Sequence, residues 1–191
     1  MIDAIESTTS IFATDDARRS LSGRSLLLRR RYAAPIEEVW SAITEPHRLE
    51  RWFLEVGGDL RPGGWYRLKD NARGEILRWE PPRLLTVTWE FGFHPASRVE
   101  IRLSGATTLE LRHVVRGDAD DLAGAGVGWD LVLLALDVYL RGADPVDHES
   151  QLFAAHSSRA WGATLEAAGT PPAEAARAVR RVNRFYAPDV T

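Results

Sequence analysis

The sequence contains no cysteine, which excludes a disulfide framework, a thiolate metal site and a cysteine nucleophile. It also lacks an unbroken run of about 18 apolar residues. The longest such stretch, Leu131 to Leu136, falls far short of a membrane span. Residues 1–25 are rich in Ser, Thr and Asp and have no apolar core flanked by a basic start and a small-residue cleavage site, so they do not read as a secretory signal. The expected location is the cytoplasm. Among the 24 basic residues only Lys69 is a lysine, a skew that fits a GC-rich bacterial genome. A formal charge of −3 and a pI near 6.0 leave no excess of positive charge for a nucleic-acid partner.

What is present is enough chain for one domain plus an extension, 191 residues. A chain of this size buries roughly 70% of its surface, so a core forms without staples. Seven tryptophans stand out in it, and they either fill that core or line a cavity.

Residues 1–24 show no sustained period and read as a polar tail with a helical turn near Asp15 to Ser20. From Ser25 a strand pattern begins, with Leu26, Leu28, Arg30 and Tyr32 sharing one face. Pro35 opens a helix carrying Val39, Trp40 and Ile43, and Pro46 opens a second that ends near Trp52 and Phe53. Glycines then punctuate short strands around Leu60 and Tyr66 to Leu68, followed by a strand from Arg73 to Glu80. In Leu85 to Phe91 the odd positions are apolar and the even ones polar; Val99, Ile101 and Leu103, then Leu109, Leu111, His113 and Val115, repeat this. Glu90, Glu100, Glu110, Arg102 and Arg112 take the outward parity, a favourable cross-strand mixture of charge.

The glycine-rich stretch 124–128 leads into a long helix, Trp129 to Leu140, with Trp129, Leu133, Leu136 and Leu140 on one stripe and Gly142 at its end. Two more helices follow, Asp147 to Ala168 and Pro172 to Tyr186, the first capped by Asp147 and stopped by Gly169. Ala178, Val182 and Phe185 form a stripe on the last one, to be buried on the preceding helix or on a second subunit in a homodimer. The predicted class is therefore α+β, with a curved antiparallel sheet wrapped on one long helix.

Ordered anchors carry a family resemblance. The series Arg30-Arg31-Tyr32-Ala33-Ala34-Pro35, Val39-Trp40, Thr44-Glu45-Pro46 and Arg51-Trp52-Phe53 resembles the opening of the family of activators of heat-shock protein 90 ATPase. Pro62-Gly63-Gly64, Arg73-Gly74-Glu75, Pro81-Pro82-Arg83-Leu84-Leu85, Thr88-Trp89, Thr108 to His113 and Gly128-Trp129 extend it in order. The resemblance implies the START-like helix-grip fold of the SRPBCC superfamily over residues 25–143, with residues 144–191 a helical extension to which it assigns no role. It also implies an apolar cavity between sheet and long helix. The co-chaperone that names the family carries a separate N-terminal chaperone-binding domain, which a 24-residue tail cannot replace.

Parity points Tyr66, Leu68, Leu85, Val87, Trp89, Ile101, Leu111, Trp129, Leu133 and Leu136 into the space between sheet and helix, with Trp52 and Phe53 at its rim. In a compact protein these are simply core; the resemblance makes them ligand-binding. His113 turns an imidazole inward, where it must find a partner or hydrate a cavity. Arg30 shares that inward parity near a strand end, where it pairs locally or meets an anionic group. No strand carboxylate points inward for acid–base work, so no catalytic residue is assigned.

Three near-motifs fail on context. Residues 124–128 resemble a dinucleotide loop, but Trp129 occupies the third glycine's place and no strand precedes. His148-Glu149 lacks a histidine at zinc-protease spacing, and His156 lies about 80° away around a helix, so no metal or other cofactor is expected. Arg29 to Arg31 straddle a strand and are no nucleic-acid patch. The expected function is non-covalent binding of a small hydrophobic or amphipathic molecule. The alternatives are a protein–protein module in chaperone or stress response and a polyketide cyclase-like enzyme with His113 as base.

Overall fold

Strands with apolar residues at alternate positions must choose a face, and eight of them do so together in one antiparallel sheet. The computed structural model describes residues 17–92, 94–143 and 147–190, without the side chains of residues 147–149. The strands are β1 (Arg18–Ser22), β2 (Ser25–Arg31), β3 (Val56–Gly58), β4 (Trp65–Leu68), β5 (Arg73–Glu80), β6 (Leu84–Trp89), β7 (Ser97–Ser104) and β8 (Thr108–Val114). Their spatial order is β1-β2-β8-β7-β6-β5-β4-β3. An irregularity in pairing between Ile76 and Arg78 on β5 adds to the bend of the sheet.

The inward parity holds along the central strands. Leu26, Leu28, Val99, Leu103, Leu109 and Leu111 are buried, and His113 with them. On the outer face Arg29 of β2 pairs with its cross-strand neighbour Glu110 of β8 at 2.7 Å, and Arg102 reaches Glu100 at 2.8 Å. Thr86, outward by parity, is nevertheless buried; its strand neighbours are Arg78 and Glu100, and its hydroxyl donates to the Glu100 carboxylate at 3.4 Å.

Helices α1 (Ile36–Thr44) and α2 (Pro46–Leu49) bridge β2 to β3 and close one end of the sheet. Arg48 of α2 donates from Nε to the Tyr139 hydroxyl at 3.1 Å, and Trp52 stacks on the Tyr139 ring at 6.4 Å. The end of the long helix is thereby tied to this corner.

That helix, α3 (Ala119–Leu140), crosses the concave face. It begins ten residues before Trp129, so the glycine run predicted as its lead-in lies inside it. Asp118 sets the start: its carboxylate accepts from the Asp120 and Asp121 N–H groups, while Asp121 accepts from the Asp118 N–H. Each interior glycine costs about 0.5–1 kcal/mol relative to alanine, and close packing explains Gly126, where a Cβ would collide with the Trp161 indole. Asp130 and Asp137 interrupt the apolar run, yet by length and mean hydropathy (1.5) α3 is apolar enough to cross a membrane. Half of that window is buried inside the fold, so α3 serves as the core helix.

Helices α4 (Asp147–Ala167) and α5 (Pro172–Tyr186) pack on the other side of α3. Trp161 is buried and donates its indole N–H to Asp130 at 2.9 Å. Arg19 of β1 and Ser157 of α4 bond the same Asp130 oxygen. Gly169, at φ +96°, ends α4 in the left-handed conformation that glycine accepts most readily.

Three expectations are corrected. Residues 18–22 are an edge strand rather than part of a helical turn, because they pair with β2 in register and Arg19 reaches Asp130; Asp15 and Asp16 lie outside the described residues. Leu60 belongs to no strand, since β3 lies earlier, at Val56–Gly58, and the chain turns through residues 61–63. Phe185 does not share the burial of Ala178 and Val182: it is 77% exposed. The cap assigned to Asp147 falls on an undescribed side chain, as does the His148 comparison.

Candidate functional site

Among the described residues, two neighbouring chambers lie between the sheet and the helices. The inner one, about 120 Å³, is lined by side chains of β3 to β8, the α1–α2 corner and α3. Trp52, Phe53, Tyr66, Leu68, Leu85, Val87, Trp89, Ile101, Leu111, Trp129, Leu133 and Leu136 all line it. Sequence parity missed Ile43, Leu49, Ile76, Trp79, Val99, Leu109 and Val132. Val99 and Leu109 carried the same inward parity and could have been found; Trp79 could not, because its orientation follows from the pairing irregularity in β5 and from Trp40, which meets it edge-on at 6.0 Å.

The outer chamber, about 550 Å³, opens beyond the Trp89–Trp129 pair. It is walled by the β6–β7 connection, the start of α3 and the end of α5, with Phe91, His94, Arg116, Arg181, Phe185 and Tyr186 among its lining. Phe53, Trp89, Trp129 and Val132 line both spaces, so these four form the partition. The Trp89 and Trp129 rings meet at 4.9 Å with planes tilted by 56°.

His113 stands behind that partition, on the outer side. The Trp129 indole N–H donates to its Nδ1 at 3.0 Å. An indole N–H can only donate, so the imidazole proton sits on Nε2 and donates to Ser97 Oγ at 2.8 Å. The Ser97 hydroxyl in turn donates to the Trp89 carbonyl at 3.0 Å. Both ring nitrogens are thus taken, and burial pushes the imidazole pKa down from 6.5 to about 4. At neutral pH this is an uncharged, fully hydrogen-bonded ring that fixes Trp129 against Trp89.

Tyr66 donates its hydroxyl to the Thr88 carbonyl at 2.8 Å, and burial raises its pKa further above the ordinary phenol value. Arg30 lines neither chamber: it is buried beside Asp137 of α3, with 3.7 Å between charged atoms, and holds helix to sheet. The inner chamber has no charged side chain in its lining. In the outer one Asp120 and Asp121 come from the start of α3, a position strand parity does not reach. Arg177 and Arg181 neutralise Asp120 at 3.5 and 3.4 Å, and Asp121 serves the helix cap. Arg116 makes no hydrogen bond or ion pair among the described residues.

Such an arrangement can enclose an apolar group and recognise it by shape. An engineered cavity of about 150 Å³ admits benzene, so the inner chamber takes at most a small ring or the end of a chain. The outer one falls within the ~300–1,000 Å³ range of small-molecule sites.

Residues 33–141 match the family model described as Activator of Hsp90 ATPase homolog 1-like protein. The crystal structure of CalU16 from Micromonospora echinospora is similar at 41% identity and a TM-score of 0.71, covering 79% of this chain and 99% of that one. DynU16, a protein of the dynemicin biosynthetic locus, is similar at 28% identity and a TM-score of 0.58, covering 63% of this chain and 48% of that one. An Hsp90 activator from Plasmodium falciparum shares the fold at 22% identity and a TM-score of 0.56, covering 64% of this chain and 99% of that one. No curated protein matches the chain.

Proposed function

The chain belongs to the family of Activator of Hsp90 ATPase homolog 1-like proteins, and from that premise we propose that it binds a small apolar or amphipathic molecule in the space between sheet and α3. One observation carries the reading: an inner chamber with no charged lining and a ligand-sized outer chamber share a partition of Phe53, Trp89, Trp129 and Val132. A ligand whose apolar surface is taken up in this space would gain about 25 cal/mol per Å² removed from water, less the cost of immobilising it. The membership of DynU16 in a biosynthetic locus supports a small organic metabolite as the ligand class.

A cyclase-like activity is the second reading, and that same locus favours it. The state of His113 speaks against this residue as the base, because Nδ1 already accepts from Trp129 and the ring is a weak base at about 4. The resemblance to an Hsp90 activator reaches only the fold and adds nothing to a chaperone role.

Titration of the purified protein with fatty acids, aromatics and polyketides, followed by tryptophan fluorescence and thermal unfolding, tests the binding reading. At least one class should quench or shift the emission and raise Tm. Silence from every class counts against it, and turnover of a polyketide that His113→Ala abolishes in a folded protein would favour the cyclase.

A further inference from the structure

Where α3 lines the outer chamber between Asp121 and Trp129, it contributes only Gly124, Ala125 and Gly128, a floor almost without side chains. Two of the helix's glycines there are explained by packing. Gly126 admits the Trp161 indole, and at Gly128 a Cβ would stand 3.1 Å from the Tyr186 hydroxyl. Gly124 is different: nothing lies within 4 Å of where its Cβ would be. A glycine in a helix interior is unfavourable, and here no neighbour requires it. What it preserves is the flat floor of the space.

The chamber's rim is aromatic and exposed. Phe185 is 77% exposed and Phe91 is 48% exposed. The Phe185 ring meets Tyr186 edge-on at 4.7 Å, and both line the chamber. Exposed large apolar groups gathered around a concavity mark a binding site. Phe185 and Tyr186 belong to α5, outside residues 33–141 of the family match, so this wall is a feature of the extension.

We infer that the outer chamber takes a flat, fused-ring aromatic molecule, laid against the Gly124–Ala125–Gly128 floor and bordered by Phe91 and Phe185. The inference rests on the small-molecule binding proposed above and adds the ligand class and its locus. A rigid ring system brings its surface to a flat floor already ordered, whereas a flexible chain must freeze its torsions to make the same contact. Aromatic side chains add the offset-stacked and edge-to-face contacts that only another ring can complete.

The test uses the full chain and two probes, anthracene-2-carboxylate and dodecanoate, followed by tryptophan quenching and Tm. Anthracene-2-carboxylate should bind at least ten-fold more tightly than dodecanoate. Gly124→Leu, which fills the floor, should weaken it at least ten-fold with an unchanged circular dichroism spectrum. Phe185→Ala, at a site with little packing to lose, should weaken it several-fold and decides the matter if Gly124→Leu fails to fold. Dodecanoate binding without anthracene binding, or anthracene binding unchanged in the folded variants, overturns the flat-ring assignment and leaves small-molecule binding standing. If neither probe binds and the wider ligand panel is also silent, both readings fall.

Discussion

His113 has the chemistry of a catalytic residue and is committed to structure. Strand parity turned it inward, but its partners could not be read from the sequence, because Ser97 and Trp129 lie on β7 and α3 and meet it only in the fold. Its protonation then has a definite sign. The folded pKa, about 4, lies below the ordinary 6.5, so the unfolded chain binds the extra proton in between. Stability from this group is complete above about pH 6.5 and is lost as pH falls towards 4, by roughly 3 kcal/mol over that window. Asp130 works in the opposite direction, since burial raises its pKa against the pull of Arg19. Comparing wild type with His113→Gln isolates the histidine: denaturant midpoints at pH 7 and pH 4.5 should show a larger acid loss in wild type. Equal losses would refute a buried neutral imidazole. Arg30 teaches the complementary point, for its inward parity led to a partner on α3 and not to a ligand-sized space.

At the scale of the element, α3 combines three duties that its sequence superimposes. One face carries Trp129, Leu133 and Leu136 to the sheet, another carries Asp130 and Gly126 to α4, and the first turns form the outer chamber's floor. The glycine run looked like a loop because glycine normally breaks helices; only the approach of Trp161 and Tyr186 shows what it is for. Two alanine substitutions should therefore have opposite effects. Gly126→Ala pushes the Trp161 indole aside and should destabilise by about 1–3 kcal/mol, the usual cost of overpacking. Gly124→Ala meets open space and should stabilise by about 0.5–1 kcal/mol, raising Tm by roughly 1–4 °C. Calorimetry on the pair checks this, and a loss at both positions would mean that the floor at Gly124 is filled. The edge strand β1 is the other element that patterning hid, since five residues of mixed polarity become a strand through pairing with β2 and the Arg19 contact to Asp130.

Over the whole molecule, the extension is part of the core. Phe153, Trp161, Leu165 and Ala178 are buried, and Asp130 depends on Ser157 and Trp161 for two of its hydrogen bonds. A chain ending at residue 143 should expose the far side of α3, leave that carboxylate short of partners, bind a hydrophobic dye and lose its cooperative unfolding transition. A sharp transition at the full-length Tm would show instead that the sheet and α3 stand alone. The sequence by itself determined the strands other than β1 and β3, the inward set from Tyr66 to Leu136 and the α+β class with a sheet wrapped on one long helix, because alternation and helical spacing are local consequences of burying one face. Only the tertiary structure decided that the space is divided, that Trp89 and Trp129 stand at the division, and that the end of α5 walls the outer part. Cavities are what side chains from distant segments fail to fill, and no local period records a volume left empty.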